Sequence, residues 1–266
     1  MNLSLASDIS SLLSKNQYIS WFGVGIVSTV LLSIFGTLFG LFIGVFIAFG
    51  KRIKISKKDN WFNKIWKSIV KYFCVIYSVV VRGTPMMVQA MIFQFMCLSF
   101  GLNWSMTLTS NQVFNGWFFG GLIVLTLNTA AYMAEIVQSG LNGVGTDQTE
   151  GARSLGMNSF QILLHVELPQ ALKNAIPTIG NEWIVNIKDS SVLNVVGVTE
   201  LFYRTKDVAG QSYKTLGAYI IVAVIYLILT LCTTLILKLV SMKLNGQKFK
   251  FKFNHTKNKD LEEVEK

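Results

Sequence analysis

From Asn16 to Gly50 the chain carries no charged side chain, a run of 35 residues. A helix that crosses a membrane needs roughly 20 predominantly apolar residues. A soluble core helix of this length would show a polar stripe, which is missing here, and a cleavable signal peptide would have a charged start and a shorter apolar region. The run therefore predicts a retained transmembrane helix over about 19–49.

The charges that the chain does carry are segregated. Only 14% of the 266 residues are charged, yet the net charge is +10, against about 25% charged residues in soluble domains. Sixteen of the 24 basic residues lie in the segment 51–71 or from Lys238 onwards. Basic segments beside apolar spans indicate contact with anionic membrane lipid rather than with nucleic acid. Three unpaired Cys and two distant His predict neither a disulfide framework nor a metal site.

Four further apolar segments follow, at about 72–101, 116–138, 176–198 and 216–240. The second is preceded by an amphipathic stretch and is interrupted, because a proline lacks a backbone donor and disfavours helix at the residue before it. The residues of this predicted helix break are Arg82, Gly83, Thr84 and Pro85. The first span also repeats glycine at Gly36, Gly40 and Gly44, which predicts close packing against another helix. The fold class is therefore an all-α membrane protein with five transmembrane helices.

Basic residues near the span ends set the orientation of such a chain. They are abundant in 51–71 and in the tail 241–266, and scarce in the N-terminal segment 1–18. We therefore expect segment 1–18 outside the cell, and both the tail and the long polar loop 140–177 in the cytoplasm. The expected location is the plasma membrane of a bacterium, with multiple crossings.

The polar loop has the local signals of a helical hairpin. A first helix is predicted from Asp147 to Leu155, ended by a left-handed cap at Gly156. Asn158 and Gln161 have the spacing of a capping box that opens a second helix, and Pro169 predicts where that helix ends or bends. From the residues alone, the hairpin either docks a partner or merely packs on its own membrane domain.

The order of motifs in this loop resembles the "EAA" loop of ABC-importer permeases, with Gly151 for the usual Ala and Val166 for the usual Ile. Further stretches resemble the branch that takes up polar amino acids. In chain order they are Arg82–Pro85, Asn128–Tyr132 with Ala134–Glu135, Leu168–Leu172, and Lys188–Ser191 with Val196–Leu201. Together these stretches make the chain similar to this branch over roughly residues 20–240.

The resemblance implies a type I ABC importer permease fold, with one permease domain over 19–240 that forms half of a translocation pathway. Its partners would be a second permease copy or paralogue, a cytoplasmic ABC ATPase dimer and an extracellular amino-acid-binding protein. Loop 147–169 would be the coupling helix, with ATPase-coupling residues Glu150, Gly151, Ala152, Leu155, Gly156, Leu168 and Pro169. The chain has no phosphate-binding Gly-x4-Gly-Lys-Ser/Thr motif. It is therefore expected to be no enzyme and to bind no cofactor, with ATP and Mg²⁺ on the ATPase.

Polar groups at membrane depth are costly and often functional, and an amino-acid ligand needs both donors and acceptors. The candidate pathway residues are Asn128, Thr129, Tyr132, Glu182, Lys188 and Asp189. For several of them a structural role is the alternative. Asn128 and Thr129 would then hydrogen-bond between helices, and Lys188 and Asp189 would pair with other helices. We expect Arg82 to satisfy carbonyls freed at the break or to bind lipid phosphate, and Glu135 to connect its helix to a loop.

Three other functions are alternatives for a chain with these apolar spans. An ABC permease for another small solute would share the loop but not the Asn128–Tyr132 and Lys188–Ser191 stretches. A stand-alone secondary transporter would show internal repeats, and no clear repeat is present. A membrane enzyme would need a nucleophile and base or a metal set, which two remote His make improbable.

Overall fold

The computed structural model describes residues 2–57, 59–102 and 117–244, and these are built mainly from helices. In chain order the helices are α1 (Asn2–Leu13), α2 (Asn16–Lys51), α3 (Trp61–Gly83), α4 (Met86–Ser99), α5 (Phe118–Asn142), α6 (Thr146–Ser154), α7 (Ser159–Ile162), α8 (Leu168–Asp189), α9 (Leu201–Ser212) and α10 (Thr215–Leu244). A π-helical turn (Leu163–Glu167) joins α7 to α8, and a 3₁₀ helix (Ser190–Val196) follows α8. Most of the predicted basic tail lies outside the described residues.

The centre of the molecule is the packing of α2 against α5. Gly36, Gly40 and Gly44 of α2 face Leu125, Thr129 and Met133 of α5 in turn. Each glycine is buried, and the absence of a side chain lets the two backbones approach closely. The prediction that this glycine repeat serves helix packing is confirmed.

Within the described part of the chain, three helices are long and apolar enough to cross a membrane: α2, α5 and α10. Helices α3 and α4 pass the same test only together, and they are bent by 111° at the residues between them. The amphipathic stretch before the predicted second span is not a separate helix, since α3 begins at Trp61 and runs on into the apolar residues. Helix α8, which corresponds to the predicted fourth span, is not among the three. The number of five spans stays a prediction.

Helix α8 has bounds that differ from those of the predicted span 176–198. It begins at Leu168, contains Pro177, and gives way to the 3₁₀ helix after Asp189. Of the two alternatives predicted for Pro169, an end or a bend of the second loop helix, the end is wrong, because the backbone before Pro169 stays helical through the π-helical turn into the first turn of α8. The second arm of the hairpin is therefore continuous with α8 through the π-helical turn.

Two helices were not expected. Helix α1 lies in the N-terminal segment and packs on α10, where Leu12 is buried and Lys214 forms an ion pair with Asp8 at 2.9 Å. Helix α9 lies in the connection after the fourth predicted span and packs against α2 and α10. Leu201 and Val208 of α9 are fully buried in the same cluster as Leu12. The connection is therefore a structural part of the domain rather than a simple loop.

Candidate functional site

The hairpin formed by α6, α7 and the π-helical turn has the geometry that its sequence predicts. Helix α6 ends before Gly156, whose φ of +83° lies in the left-handed region that favours glycine. The backbone N–H of Gln161 donates to Oδ1 of Asn158, and the backbone N–H of Asn158 donates to Oε1 of Gln161, both at 2.9 Å. Both the left-handed cap and the capping box are confirmed.

The hairpin packs on the rest of the chain with one face and exposes apolar side chains on another. Ala152 and Ile162 are buried. Leu155 and Phe160 are 84% and 69% exposed, and large apolar side chains that cluster at a surface indicate an interaction site. Packing on the membrane domain therefore holds for one face of the hairpin, and docking of a partner by the exposed face stays a prediction. The remaining predicted coupling residues lie along it: Glu150, Gly151, Gly156 and Pro169 are exposed, and Leu168 is partly buried.

The base of the hairpin is held against the membrane domain. Nη1 of Arg52, directly after α2, lies 3.0 Å from Oε2 of Glu167 in the π-helical turn. Next to this ion pair, Ala48, Val137 and Ala171 form a buried apolar cluster from α2, α5 and α8. The hairpin is therefore continuous with α8 and connected to α2 and α5 through these contacts.

A polar junction joins the same three helices at membrane depth. Asn186 of α8 donates from Nδ2 to Oγ1 of Thr37 in α2 at 2.8 Å, and its Oδ1 accepts from the hydroxyl of Thr129 in α5 at 3.1 Å. Next to it, Trp183 donates from Nε1 to Oγ of Ser33 at 3.2 Å. Thr129 is fully buried, so the structure gives it the interhelical role that was the alternative to lining the pathway.

The helix break is held together by Gln89 of α4. Its side-chain Nε2 donates to the carbonyl oxygens of Val81 at 2.8 Å and Thr84 at 3.0 Å. Its Oε1 accepts from Nδ2 of Asn128 in α5 at 3.1 Å. The carbonyls freed by the break are therefore met by Gln89, and not by Arg82 as expected. Asn128, like Thr129, connects helices.

Arg82 instead takes part in a cluster around Glu135. Oε1 of Glu135 lies 2.5 Å from Nζ of Lys51 at the end of α2 and 2.8 Å from Nη1 of Arg82 at the end of α3. The guanidinium carbon of Arg82 also lies 5.7 Å from the centre of the Tyr132 ring, a distance typical of cation–π contact. Glu135 was expected to connect α5 to a loop; it joins the ends of two helices to α5.

The other pathway candidates are less enclosed. Tyr132 is 37% exposed, Lys188 is exposed, and Glu182 and Asp189 are partly buried. In the part of the chain that the structure covers, neither Lys188 nor Asp189 forms an ion pair, contrary to the expectation that they pair with other helices. Over the same residues no cluster of His, Cys, Asp or Glu has the makeup of a metal site.

A buried acid outside the predicted spans was missed. Glu200 is completely buried and caps α9, accepting from the backbone N–H groups of Phe202 and Tyr203, both at 2.7 Å, and from the hydroxyl of Tyr226 at 3.0 Å. Burial raises the pKa of Glu200 from 4.5 to about 7, by more than these hydrogen bonds lower it. The acid one residue before a helix was the available signal, since acceptors are favoured at that position.

Comparison with known proteins places this architecture in a family. Residues 40–246 match the family described as "Binding-protein-dependent transport system inner membrane component". The chain belongs to this family. It is a membrane component of a binding-protein-dependent transport system with the fold of type I ABC importer permeases, as its sequence motifs predicted.

Relatives within the family agree with this assignment. The glutamine transport system permease protein GlnP of Escherichia coli (strain K12) is 28% identical over 214 residues, which cover 80% of this chain and 88% of that protein. The arginine transport system permease protein ArtQ of Bacillus subtilis (strain 168) is 30% identical over 222 residues, or 84% of this chain and 91% of that one. A crystal structure of an amino acid ABC transporter with histidines superposes with a TM-score of 0.71 at 31% identity, covering 87% of this chain and 98% of that one.

Proposed function

We propose that the chain is the permease subunit of an ATP-driven ABC importer for polar amino acids and forms half of the translocation pathway. Family membership supports the class of transporter, and the names of the relatives above support the class of substrate. The observation that carries the proposal is the hairpin. It exposes Leu155 and Phe160 at its surface while the Arg52–Glu167 ion pair and a buried apolar cluster fix its base.

In this proposal the chemistry of ATP hydrolysis belongs to a cytoplasmic ATPase dimer that receives Leu155 and Phe160. ATP binding closes the dimer and displaces the hairpin. Because the second arm is continuous with α8, the displacement passes along α8 to the junction at Asn186 and from there to α2 and α5. The hairpin and the C-terminal tail then lie in the cytoplasm, and the N-terminal segment lies outside.

The solute would pass between this chain and a second permease copy or paralogue, after delivery by an extracellular binding protein. Tyr132, Glu182, Lys188 and Asp189 are the pathway candidates that are at least partly accessible and lack an ion-pair partner among the described residues. Together they offer donors and acceptors for the ammonium and carboxylate of an amino acid. Thr129 and Asn128 support the pathway by holding helices together.

The test is uptake by the complete complex reconstituted in liposomes with its ATPase and binding protein, with glutamine and arginine as the first solutes. The double variant Leu155→Ser/Phe160→Ser should insert normally, yet lower both uptake and binding-protein-stimulated ATP hydrolysis by about tenfold or more, since apolar anchors dominate interfaces. Leu13→Ser is the matched control, because Leu13 is 49% exposed on α1.

Two results would contradict the proposal. Uptake and stimulated hydrolysis that remain normal in the double variant would remove the coupling role of the hairpin. Uptake of a different solute class, with no response to any polar amino acid, would keep the ABC permease and reject the substrate.

A further inference from the structure

A basic pocket lies between the end of α2 and the hairpin. Its cavity of about 260 Å³ is lined by the cations Arg52, Lys54 and Arg153, the hydroxyl-bearing Ser159 and one carboxylate, Glu167. Two apolar side chains, Ile162 and Leu163, complete the lining. The pocket thus brings together groups from two parts of the chain that are about a hundred residues apart in sequence.

The charges in this pocket do not balance. Glu167 is bound to Arg52 at 3.0 Å, which leaves Lys54 and Arg153 without an acidic partner within the residues that the structure describes. Three cations against one carboxylate make a net charge of +2 around the cavity. Like charges gathered at a concave surface attract an anion, and Ser159 supplies a further hydrogen-bond donor to it.

The position of the pocket narrows the identity of that anion. Arg52 is the first residue after α2, whose charge-free run ends at Gly50, so the pocket lies where the apolar span ends. Close by in sequence, α3 begins with the exposed side chains of Trp61 and Phe62, and tryptophan is typical of the membrane–water boundary. Phospholipid phosphates lie at this depth, and Lys and Arg beside them are attracted to anionic lipids.

We propose that this pocket binds the phosphate of an anionic phospholipid headgroup. The lipid would connect Lys54, beyond α2, to Arg153 on α6, and so would hold the coupling hairpin against the membrane surface. Arg52 is oriented for the same task by its bond to Glu167. This inference concerns a site separate from the translocation pathway and does not depend on which solute is carried.

The experiment uses the full-length chain, delipidated and titrated with phosphatidylglycerol or phosphatidylcholine, with bound lipid counted by native mass spectrometry. The double variant Lys54→Gln/Arg153→Gln should bind phosphatidylglycerol at least about tenfold more weakly at one site, because each basic residue at the surface adds to the attraction. The control Lys64→Gln/Lys173→Gln removes the same charge from two exposed lysines outside the pocket and should retain that site. Lys54→Arg/Arg153→Lys preserves the charge and should also retain it.

Three outcomes would overturn the proposal. The first is equal loss of phosphatidylglycerol in the pocket variant and in the control, which would mean attraction to the surface as a whole. The second is displacement of the bound phosphatidylglycerol by inorganic phosphate alone, which would make the ligand a soluble anion. The third is unchanged lipid binding together with weaker assembly with the ATPase, which would assign the pocket to an acidic side chain of that partner. Thermal unfolding of each variant shows whether it is folded.

Discussion

At the scale of single residues, Asn186 has the greatest influence on how the helices are joined. It is 2% exposed and uses both ends of its amide, as donor to Thr37 and as acceptor from Thr129. Asn186→Ala should lower the free energy of unfolding by about 1–3 kcal/mol, because it leaves the buried hydroxyl of Thr129 without its acceptor. Thermal unfolding in detergent measures this, with Asn181→Ala on the exposed face of the same helix as control. Equal midpoints for the two variants would contradict the role given to the junction.

Glu200 makes stability depend on pH. Its pKa of about 7 in the folded chain exceeds the ordinary value of 4.5, so the folded state binds the proton more tightly than the unfolded state does. The contribution of this group to stability is therefore complete below about pH 4.5 and is lost as the pH rises through 7. We expect the unfolding temperature to fall between pH 5 and pH 8 by an amount that Glu200→Gln abolishes, although Gln lowers stability at every pH by offering only one acceptor. A variant with the full pH dependence of the parent would refute this.

Local residue signals were readable from the sequence, and contacts between distant residues were not. Gly156, Asn158 and Gln161 act within a few residues of one another, so their spacing alone predicts the cap geometry. Asn186 and Thr37 are 149 residues apart, and an asparagine in an apolar segment looks the same whether it faces a pathway or another helix. Arg82 was misassigned for this reason, because its partner Glu135 comes from a different helix.

At the scale of elements, the approach of α2 to α5 is limited by backbone atoms. A methyl group on Gly44 would lie 2.6 Å from Cβ of Met133 and 3.0 Å from the carbonyl oxygen of Ala130, and neither atom can rotate away. Gly44→Ala should therefore force the helices apart and lower stability by about 1–3 kcal/mol, the usual effect of overpacking. Gly23→Ala in the same helix has no atom within 4 Å of the new methyl and should be neutral or slightly stabilising, since alanine favours helix. The thermal unfolding midpoints of the two variants test this prediction. A Gly44→Ala midpoint equal to that of the parent chain would show that α2 and α5 have room for the added methyl group.

The element bounds were predicted well where apolar residues run without interruption and poorly where proline or mixed polarity intervenes. Helices α2 and α10 follow their charge-free runs closely. Helix α8 was displaced in the prediction because Pro169 was interpreted as an end or a bend of the loop helix, although proline is equally compatible with a first turn. Helix α9 was missed because charged residues such as Arg204 and Asp207 make its sequence look like an exposed loop. Its apolar face is buried only because α2 and α10 pack against it.

At the scale of the whole molecule, the broken pair of α3 and α4 is attached to the α2–α5 core by polar contacts. Gln89 accepts from Asn128, the hydroxyl of Tyr77 donates to the carbonyl of Leu127, and Arg82 pairs with Glu135. Much of the remaining surface of α3 and α4 presents exposed large apolar residues, which suits lipid or a second permease. These three polar contacts all end on α5, and they add to the packing of α3 on α2 and of α4 on the 3₁₀ helix.

Glu135 is the group in this set whose removal affects most of the molecule, because it pairs with Lys51 and Arg82 together. Glu135→Gln leaves two cations close together without their acid, whereas Arg82→Gln retains the Lys51–Glu135 pair. Removing the acid that two cations share destabilises the chain more than removing one of the cations, because in the second case an ion pair remains. Since these side chains are partly exposed, we expect Glu135→Gln to lower stability by about 1 kcal/mol and Arg82→Gln by less. Asp59→Asn, which breaks the single ion pair with Lys67 at 2.8 Å, is the control and should have the smaller effect, since it leaves only one cation without its acid. Thermal unfolding ranks the three variants, and a Glu135→Gln midpoint no lower than that of Asp59→Asn would mean that the ion pairs of Glu135 do not hold the break in place.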